Sequence, residues 1–541
     1  MRFVRTTENV STRSWSGRAR SNRVWVFLAI LAALAAVGTW AVAATPRDTL
    51  VVGTTDRISQ LSPANSYDYW TWHVLEQTAQ NLVTIKPGTS EIVPCLAKSW
   101  TVSPDARVYT FQLQKGVTFT DGTPFNAAAM KWSLERALRL DGPEGAVGLI
   151  KNIAKIETAG AYTLRITLKE PDATFLARLA DPVAPAMAMS PKSTPADRFA
   201  NGKYAGTGPY RLVSYVPEER VVLEAYSRFW GPKPKIQRVV EVFYADAAAL
   251  RAAIQSGQVD VAFRTFNPED ILSLKKDPNL QVIQGTTSLS VRYLVFNVTQ
   301  KPFDDQRVRQ AVAYAVDRDQ LVKDVFAGLN HPIYSMVPPG LWSHIDAFPK
   351  RDLAKARAIL AAAGYTSAHP LTITLWYTPL HYGTTEADVA AVLKRSLEAT
   401  GVIKVDLQSL EWGTYVQRQS DGALGMFLLG WYPDFLDPDN FLAPWLVEAP
   451  GPLGTHLDKA VSAADKAAYE KFTTLLQEAK RVADKSQRTA KYEEAQKLLA
   501  QTAILVPLWQ NNHQHVAVAR KGVQGIILDP SMNFREWLIS K

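Results

Sequence analysis

Residues 239–261 read V-V-E-V-F-Y-A-D-A-A-A-L-R-A-A-I-Q-S-G-Q-V-D-V, and this stretch decides the fold class. Its first seven residues are an almost continuous run of β-branched and aromatic side chains, the composition of a strand inside a sheet. Asp246 follows, a side chain that can accept from the free amides opening a helix over 247–256. Gly257 supplies the left-handed residue that ends such a helix. Val259-Asp260-Val261 then returns to extended backbone. Strand, helix and strand joined by short connections are the unit of an α/β protein.

The same grammar continues outward. Residues 108–114 alternate, with Tyr109, Phe111 and Leu113 on one face; residues 162–168 repeat the pattern with Tyr162, Leu164, Ile166 and Leu168. Asn126 caps a helix whose inner stripe is Met130, Leu134, Ala137 and Leu138. Asp352 opens a helix over 353–363 that Gly364 stops. Residues 385–400 form another, and Gly401 leads from it into the alternating strand 403–410. Asp484 opens a last long helix through Ala500. A chain of 541 residues exceeds what one core organises, so at least two lobes are expected. No internal repeat or low-complexity linker separates them, which implies that the chain crosses between lobes more than once.

Composition narrows the function. Hydrophobic residues at 47% and charged residues at 21% fit a folded, water-soluble body. Aromatics reach 10%, with 15 Trp, which suits a cleft walled by flat apolar surfaces and equally a large core. The net charge of +9 is concentrated at the N-terminus, where six Arg and one Glu lie in residues 1–43 and leave +4 for the rest. No Lys/Arg-rich run follows, so a nucleic-acid surface is not indicated. A single cysteine, Cys95, excludes an intramolecular disulfide, a CxxC redox pair and a cysteine-based zinc site. Arg18, Arg20 and Arg23 precede the apolar run 24–37, and Ala41-Val42-Ala43-Ala44 follows, the layout of a cleaved secretory signal peptide over 1–44. The alternative is an uncleaved N-terminal anchor, since 24–44 is long enough to span a bilayer. No Cys follows the apolar run, which rules out a lipoprotein anchor there. The mature chain is expected outside the cytoplasm, periplasmic or otherwise extracytoplasmic.

Six segments, in order, carry a family resemblance. They are P-C-L-A-K-S-W through T-D-G-T-P-F-N-A (94–127), G-T-G-P-Y (206–210) and S-G-Q-V-D (256–260). L-V-F-N with K-P-F-D-D-Q-R-V-R-Q-A-V-A-Y-A-V-D-R-D-Q-L comes next (294–321). G-W-Y-P-D with D-P-D-N-F (430–441) and Y-E-E-A-Q (492–496) with Pro507-Leu508 complete the set. Over residues 48–540 the chain resembles the dipeptide/oligopeptide/nickel-binding type of solute-binding protein that serves ABC transporters. The resemblance implies a two-lobed periplasmic-binding-protein fold with a hinge and an additional inserted domain, three discontinuous domains in all. The first would comprise residues 45–85, 205–290 and 507–541, the second 86–204 and the third 291–506. A peptide or other small solute would be clamped between the first and third and passed to the ABC permease subunits in the membrane by a monomeric binder without cofactor or resident metal.

The resemblance also nominates ligand contacts. Asp434 corresponds to an acid that pairs with the ligand's α-ammonium, and Trp431 and Tyr432 stand beside it. The competing reading is a loop carboxylate that caps its own turn. Trp412 falls where similar proteins place a Trp near the ligand. Tyr67, Tyr69 and Trp70 form an early aromatic cluster that either lines the cleft or packs the first domain. Asp437 and Asp439 read as turn formers. Some oligopeptide binders carry an Arg two residues before the Gly-Trp; here that residue is Leu428, so a partner for a peptide carboxylate must come from elsewhere, or the ligand is a sugar or a metal chelate.

Enzyme signatures are missing. Gly-x-Ser-x-Gly, His-Glu-x-x-His, Walker A and a complete dinucleotide fingerprint do not occur, Gly206-x-Gly208 lacking its third glycine. No pair of carboxylates can be placed across a cleft, so a glycosidase has no support. A secreted hydrolase stays as the enzyme-class alternative. His513 and His515 form an H-x-H pair that could bind a metal, but alternation beside Val516 and Val518 places them instead on one exposed strand face.

Overall fold

A computed structural model describes residues 45–285, 287–448 and 453–541, and the signal peptide or anchor expected over 1–44 lies outside them. The stretch that opened the sequence analysis forms the strand Arg238–Phe243, the helix Ala247–Ser256 and the strand Val261–Phe263. Asp246 accepts from the Ala249 amide, and Gly257 ends the helix at φ +77°. The two strands are not neighbours. The N-terminal strand Thr49–Thr54 lies between them, parallel to both.

These three strands form the centre of a seven-stranded sheet in the order Leu280–Gln284, Val516–Arg520, Val261–Phe263, Thr49–Thr54, Arg238–Phe243, Arg220–Ala225 and Tyr210–Val216. Both faces are covered. Leu50, Val52, Val239, Ala517 and Ala519 face Trp70 and Val74 of the helix Tyr69–Thr78. Val516, Val518 and Ala262 face Leu250, Ile254 and Ile271 on the other side. Alternate residues of one strand feed opposite cores, as the two-residue period of a strand requires.

A second sheet of six strands runs His331–Pro332, Leu505–Gln510, Val291–Phe296, Met426–Trp431, Leu371–Tyr377 and Ile403–Ser409. Leu505–Gln510 is a member of this sheet, so the chain rejoins the seven-stranded sheet with Val516 and not at residue 507. A four-stranded antiparallel sheet made of Ala97–Val102, Val108–Leu113, Thr163–Leu168 and Ile153–Thr158 is inserted in sequence between the strands Thr49–Thr54 and Tyr210–Val216 of the seven-stranded sheet. Its alternation is as read for Tyr109, Phe111, Leu113, Leu164, Ile166 and Leu168, all buried, whereas Tyr162 is half-buried just before its strand. The capped helices also follow the sequence. Asn126 accepts from the Ala129 amide, Asp352 from Lys355 and Asp484 from Gln487.

The charged segment 301–321 is a clamp for the second sheet. Arg309 is wholly buried and bonds the Phe303 and Thr502 carbonyls and the Asp465 carboxylate, at 2.5 Å for its closest approach to Asp465. Arg318 reaches the Pro507 carbonyl at 2.8 Å.

The Gly206-x-Gly208 pair serves backbone packing. A Cβ on Gly206 would lie 2.3 Å from the Thr78 carbonyl oxygen, and one on Gly208 would lie 2.4 Å from the Thr78 carbonyl carbon. Both approaches are impossible without moving main chain, so Gly206→Ala is expected to cost about 1–3 kcal/mol, read as a lowered thermal midpoint.

His513 and His515 are not on an exposed face. They are buried at the turn Asn512–Gln514, where the chain leaves one sheet for the other. Burial holds their pKa values down to about 3 and about 4, so both rings are neutral at physiological pH.

Candidate ligand-binding cleft

In the six-stranded sheet, Leu371–Tyr377, Ile403–Ser409 and Met426–Trp431 run parallel. Their carboxyl ends therefore release three loops on one edge, where ligands of open α/β sheets collect. The first loop carries His381 and Tyr382. The second leads into the helix Trp412–Ser420, capped by Glu411, with Trp412 as its first residue. The third is Tyr432-Pro433-Asp434. From the seven-stranded body come Tyr67 and Tyr69 at the start of the helix Tyr69–Thr78, and Arg264 just beyond the strand Val261–Phe263. Together they line a cavity of about 520 Å³.

The walls are aromatic. The His381 ring lies flat on Trp412, 3.5 Å between centroids, and Tyr382 meets Trp412 edge-on. Trp431 meets Trp445 edge-on at 4.8 Å, and Tyr67 meets Trp72 in the same way at 5.2 Å. Asn440 fixes the acidic loop, its side-chain oxygen accepting from both the Trp431 indole N–H, at 3.0 Å, and the Asp434 amide, at 2.9 Å.

Asp434 stands in this setting with one partner across the cleft, the Tyr67 hydroxyl, which donates to it at 2.5 Å. Among the described residues no Lys, Arg or His forms an ion pair with it. Burial pushes its carboxyl up to about 6, against the opposing effect of the Tyr67 and Asn440 hydrogen bonds. Tyr67, though 52% exposed as a residue, is raised as well, by desolvation of its hydroxyl in the cleft and by the neighbouring carboxylate. Tyr67 and Asp434 also line an adjoining cavity of about 870 Å³ with Arg178 and Glu448.

Six of the seven residues named from sequence, Tyr67, Tyr69, Trp412, Trp431, Tyr432 and Asp434, thus line one cavity. Trp70 does not. It is fully buried, its indole N–H on the Glu241 carboxylate at 2.6 Å, because one residue further along the helix it faces the sheet rather than the cleft. Asp437 and Asp439 do shape the turn, Asp437 accepting from the Asp439 amide, and each also meets a cation, Arg488 and Lys480 respectively.

Sequence reasoning missed Arg264, His381 and Tyr382. Arg264 and Thr265 both have left-handed backbone, φ +44° and +63°. This turn carries the Arg264 guanidinium over the Tyr69 ring at 4.4 Å and towards Tyr432 at 5.6 Å, with Asp56 at 3.0 Å. No local motif announces such a turn. His381 and Tyr382 could have been found by reading forward from the end of the strand Leu371–Tyr377.

The two sheets thus contribute aromatic walls and the Asp434 carboxylate to one cavity. Residues 91–452 match the family model described as bacterial extracellular solute-binding proteins, family 5 middle. The chain belongs to this family. It is 31% identical over 477 residues to the dipeptide-binding protein of Escherichia coli K12, covering 83% of this chain and 86% of that protein. The structure of HbpA2 from Haemophilus parasuis superposes with a TM-score of 0.78 at 25% identity, over 91% of this chain and 99% of that one. The periplasmic binding protein DppA from Helicobacter pylori, in complex with the peptide STSA, gives 0.70 at 27% identity, over 91% and 98%. The protein is accordingly a two-lobed α/β solute-binding component of the ABC-transporter class, in a family of binders rather than enzymes. Among the described residues no helix is long and apolar enough to cross a membrane.

Proposed function

We propose that this family-5 protein captures a peptide or peptide-like solute carrying a cationic amine and delivers it unchanged to the ABC permease subunits. The observation that carries the reading is Asp434, a carboxylate inside an aromatic cavity that accepts from a tyrosine hydroxyl and, among the described residues, is in no ion pair. Desolvation strengthens any charge pair formed there, and Trp431 adds a π face for the ammonium. Arg264, also on the cavity wall, offers a cation for a ligand carboxylate, the role that Leu428 cannot fill. The cavity falls within the range of small-molecule sites.

The three discontinuous domains follow the sheets in this reading. Residues 45–85, 205–290 and the segment after Gln510 form the first domain, residues 86–204 the second, and residues 291–510 the third. The cleft lies between first and third, and closure brings Tyr67 onto Asp434. The protein acts as an exported monomer, without cofactor and without turnover.

The test is thermal unfolding of the purified protein against di- to pentapeptides, opines, glutathione, oligosaccharides and nickel chelates. A ligand at a hundred times its Kd adds about 2.7 kcal/mol of stability. Peptides or other cationic amines are expected to raise the midpoint and to be recovered intact. If only sugars or chelates raise it, the amine anchor falls; if a compound is consumed, the chain is a hydrolase. For a ligand so identified, Trp412→Ala is expected to lose about 1–2 kcal/mol of affinity by calorimetry, through the lost aromatic wall.

A further inference from the structure

Behind the cleft wall, one aromatic layer in from Tyr69, the core of the seven-stranded sheet contains three groups that its apolar pattern does not explain. Glu241 occupies the inward face of the strand Arg238–Phe243, between Val239 and Phe243, where alternation calls for an apolar side chain. His73, from the helix Tyr69–Thr78, and Glu536, near the C-terminus, meet it there. All three are completely buried. His73 Nε2 lies 3.4 Å from Glu536 Oε1, and one donor atom from each residue lies within 4.8 Å of the others.

The cluster is incompletely satisfied. Glu241 Oε2 accepts the Trp70 indole N–H, but Glu241 Oε1, Glu536 Oε2 and His73 Nδ1 have no hydrogen-bond partner. Among the described residues no Lys or Arg pairs with either carboxylate; the nearby Arg535 is taken by Glu76 and Asp529. Two carboxylates in a dry core without a cation are costly as anions. Burial accordingly pushes Glu536 up to about 8 and raises Glu241 as well.

We infer that His73, Glu241 and Glu536 form a structural site for a divalent transition-metal ion of the zinc or manganese type. One imidazole and two carboxylates are the donor set such ions take, and either carboxylate binding through both oxygens would supply a fourth donor. The ion neutralises both carboxylates and draws the most separated donor atoms together by about 1.5 Å, since ligands at about 2 Å from a metal lie about 3.3 Å apart. It joins the first helix, a central strand and the C-terminal segment, parts of the chain far apart in sequence. With no exposed edge, the site fills as the protein folds.

The experiment refolds the mature protein with Zn²⁺ or Mn²⁺, removes free ion by gel filtration and measures metal per chain, alongside Glu241→Gln/Glu536→Gln. The expected result is one equivalent retained by the wild type and none by the variant, with a metal-dependent rise in the wild-type melting midpoint only. Refolding with Co²⁺ supplies a second readout that needs no variant, visible absorption bands of a low-symmetry N/O site. Equal metal in both proteins means an adventitious ion only and overturns the inference. So does a wild type that retains no metal and melts alike with and without it, in which case the carboxyls are simply protonated. If the variant does not fold, absence of the Co²⁺ bands in the wild type overturns it.

Discussion

Asp434→Asn is expected to weaken binding of a cationic ligand by about 2–4 kcal/mol, roughly 30- to 900-fold in Kd, because the ammonium is then desolvated against a neutral amide. The fold should not suffer. The Tyr67 hydroxyl and the Asn440 contact to the backbone both persist. In the ligand-free wild type the folded carboxyl titrates near 6, above its unfolded value, so it favours the folded state at low pH and that contribution is lost as pH rises through 6. Asparagine has no such loss, and at neutral pH the empty variant should melt at or above the wild type. The same titration makes binding acid-sensitive. Protons compete with the ligand below pH 6, so wild-type affinity should be flat above pH 7 and fall about tenfold between pH 7 and pH 5. The asparagine variant should lack this dependence. Calorimetric titration at several pH values reads both effects.

The largest stability effect is expected at Asp465→Ala. It strands the Arg309 guanidinium, wholly buried, with only the Phe303 and Thr502 carbonyls as acceptors. Breaking a buried pair by removing one partner costs about 3–5 kcal/mol, because the remaining charge has no compensation. The thermal midpoint should fall by several degrees. Arg309→Met combined with Asp465→Leu should recover most of the loss, since packed apolar groups replace a buried pair at little cost. Ligand affinity of the folded fraction should be unchanged, which separates this scaffold pair from Asp434.

The parts of the fold legible in the sequence are those set by local rules. Asp246, Asn126, Asp352 and Asp484 cap the helices they precede, and the alternation at 108–114 and 162–168 reports its buried face correctly. What local rules do not hold is who lies beside whom. The strands at 238–243 and 261–263 are consecutive in sequence, yet the N-terminal strand lies between them, a pairing across nearly two hundred residues. The site divides in the same way. Trp412, Trp431, Tyr432 and Asp434 were reached through family motifs. Tyr67 and Tyr69 were separable from Trp70 only by helix phase, one residue turning the side chain from cleft to core. Arg264 depended on a left-handed turn that no residue type there advertises. His513 and His515 were misplaced because a chain crossing between two sheets buries a polar turn that looks like a strand edge.

The order of assembly of the seven-stranded sheet bears on how the protein is made. Its strand Val516–Arg520 is internal, bonded to Val261–Phe263 on one side and Leu280–Gln284 on the other. An emerging chain presents the strands at 49–54, 238–243 and 261–263 long before that partner exists. Until residue 520 has appeared, Val261–Phe263 offers an open hydrogen-bonding edge and half-covered apolar faces, the features that recruit chaperones and seed aggregation. The sheet therefore cannot close before residue 520 is available, and truncations that remove the 516–520 strand strike the middle of a sheet.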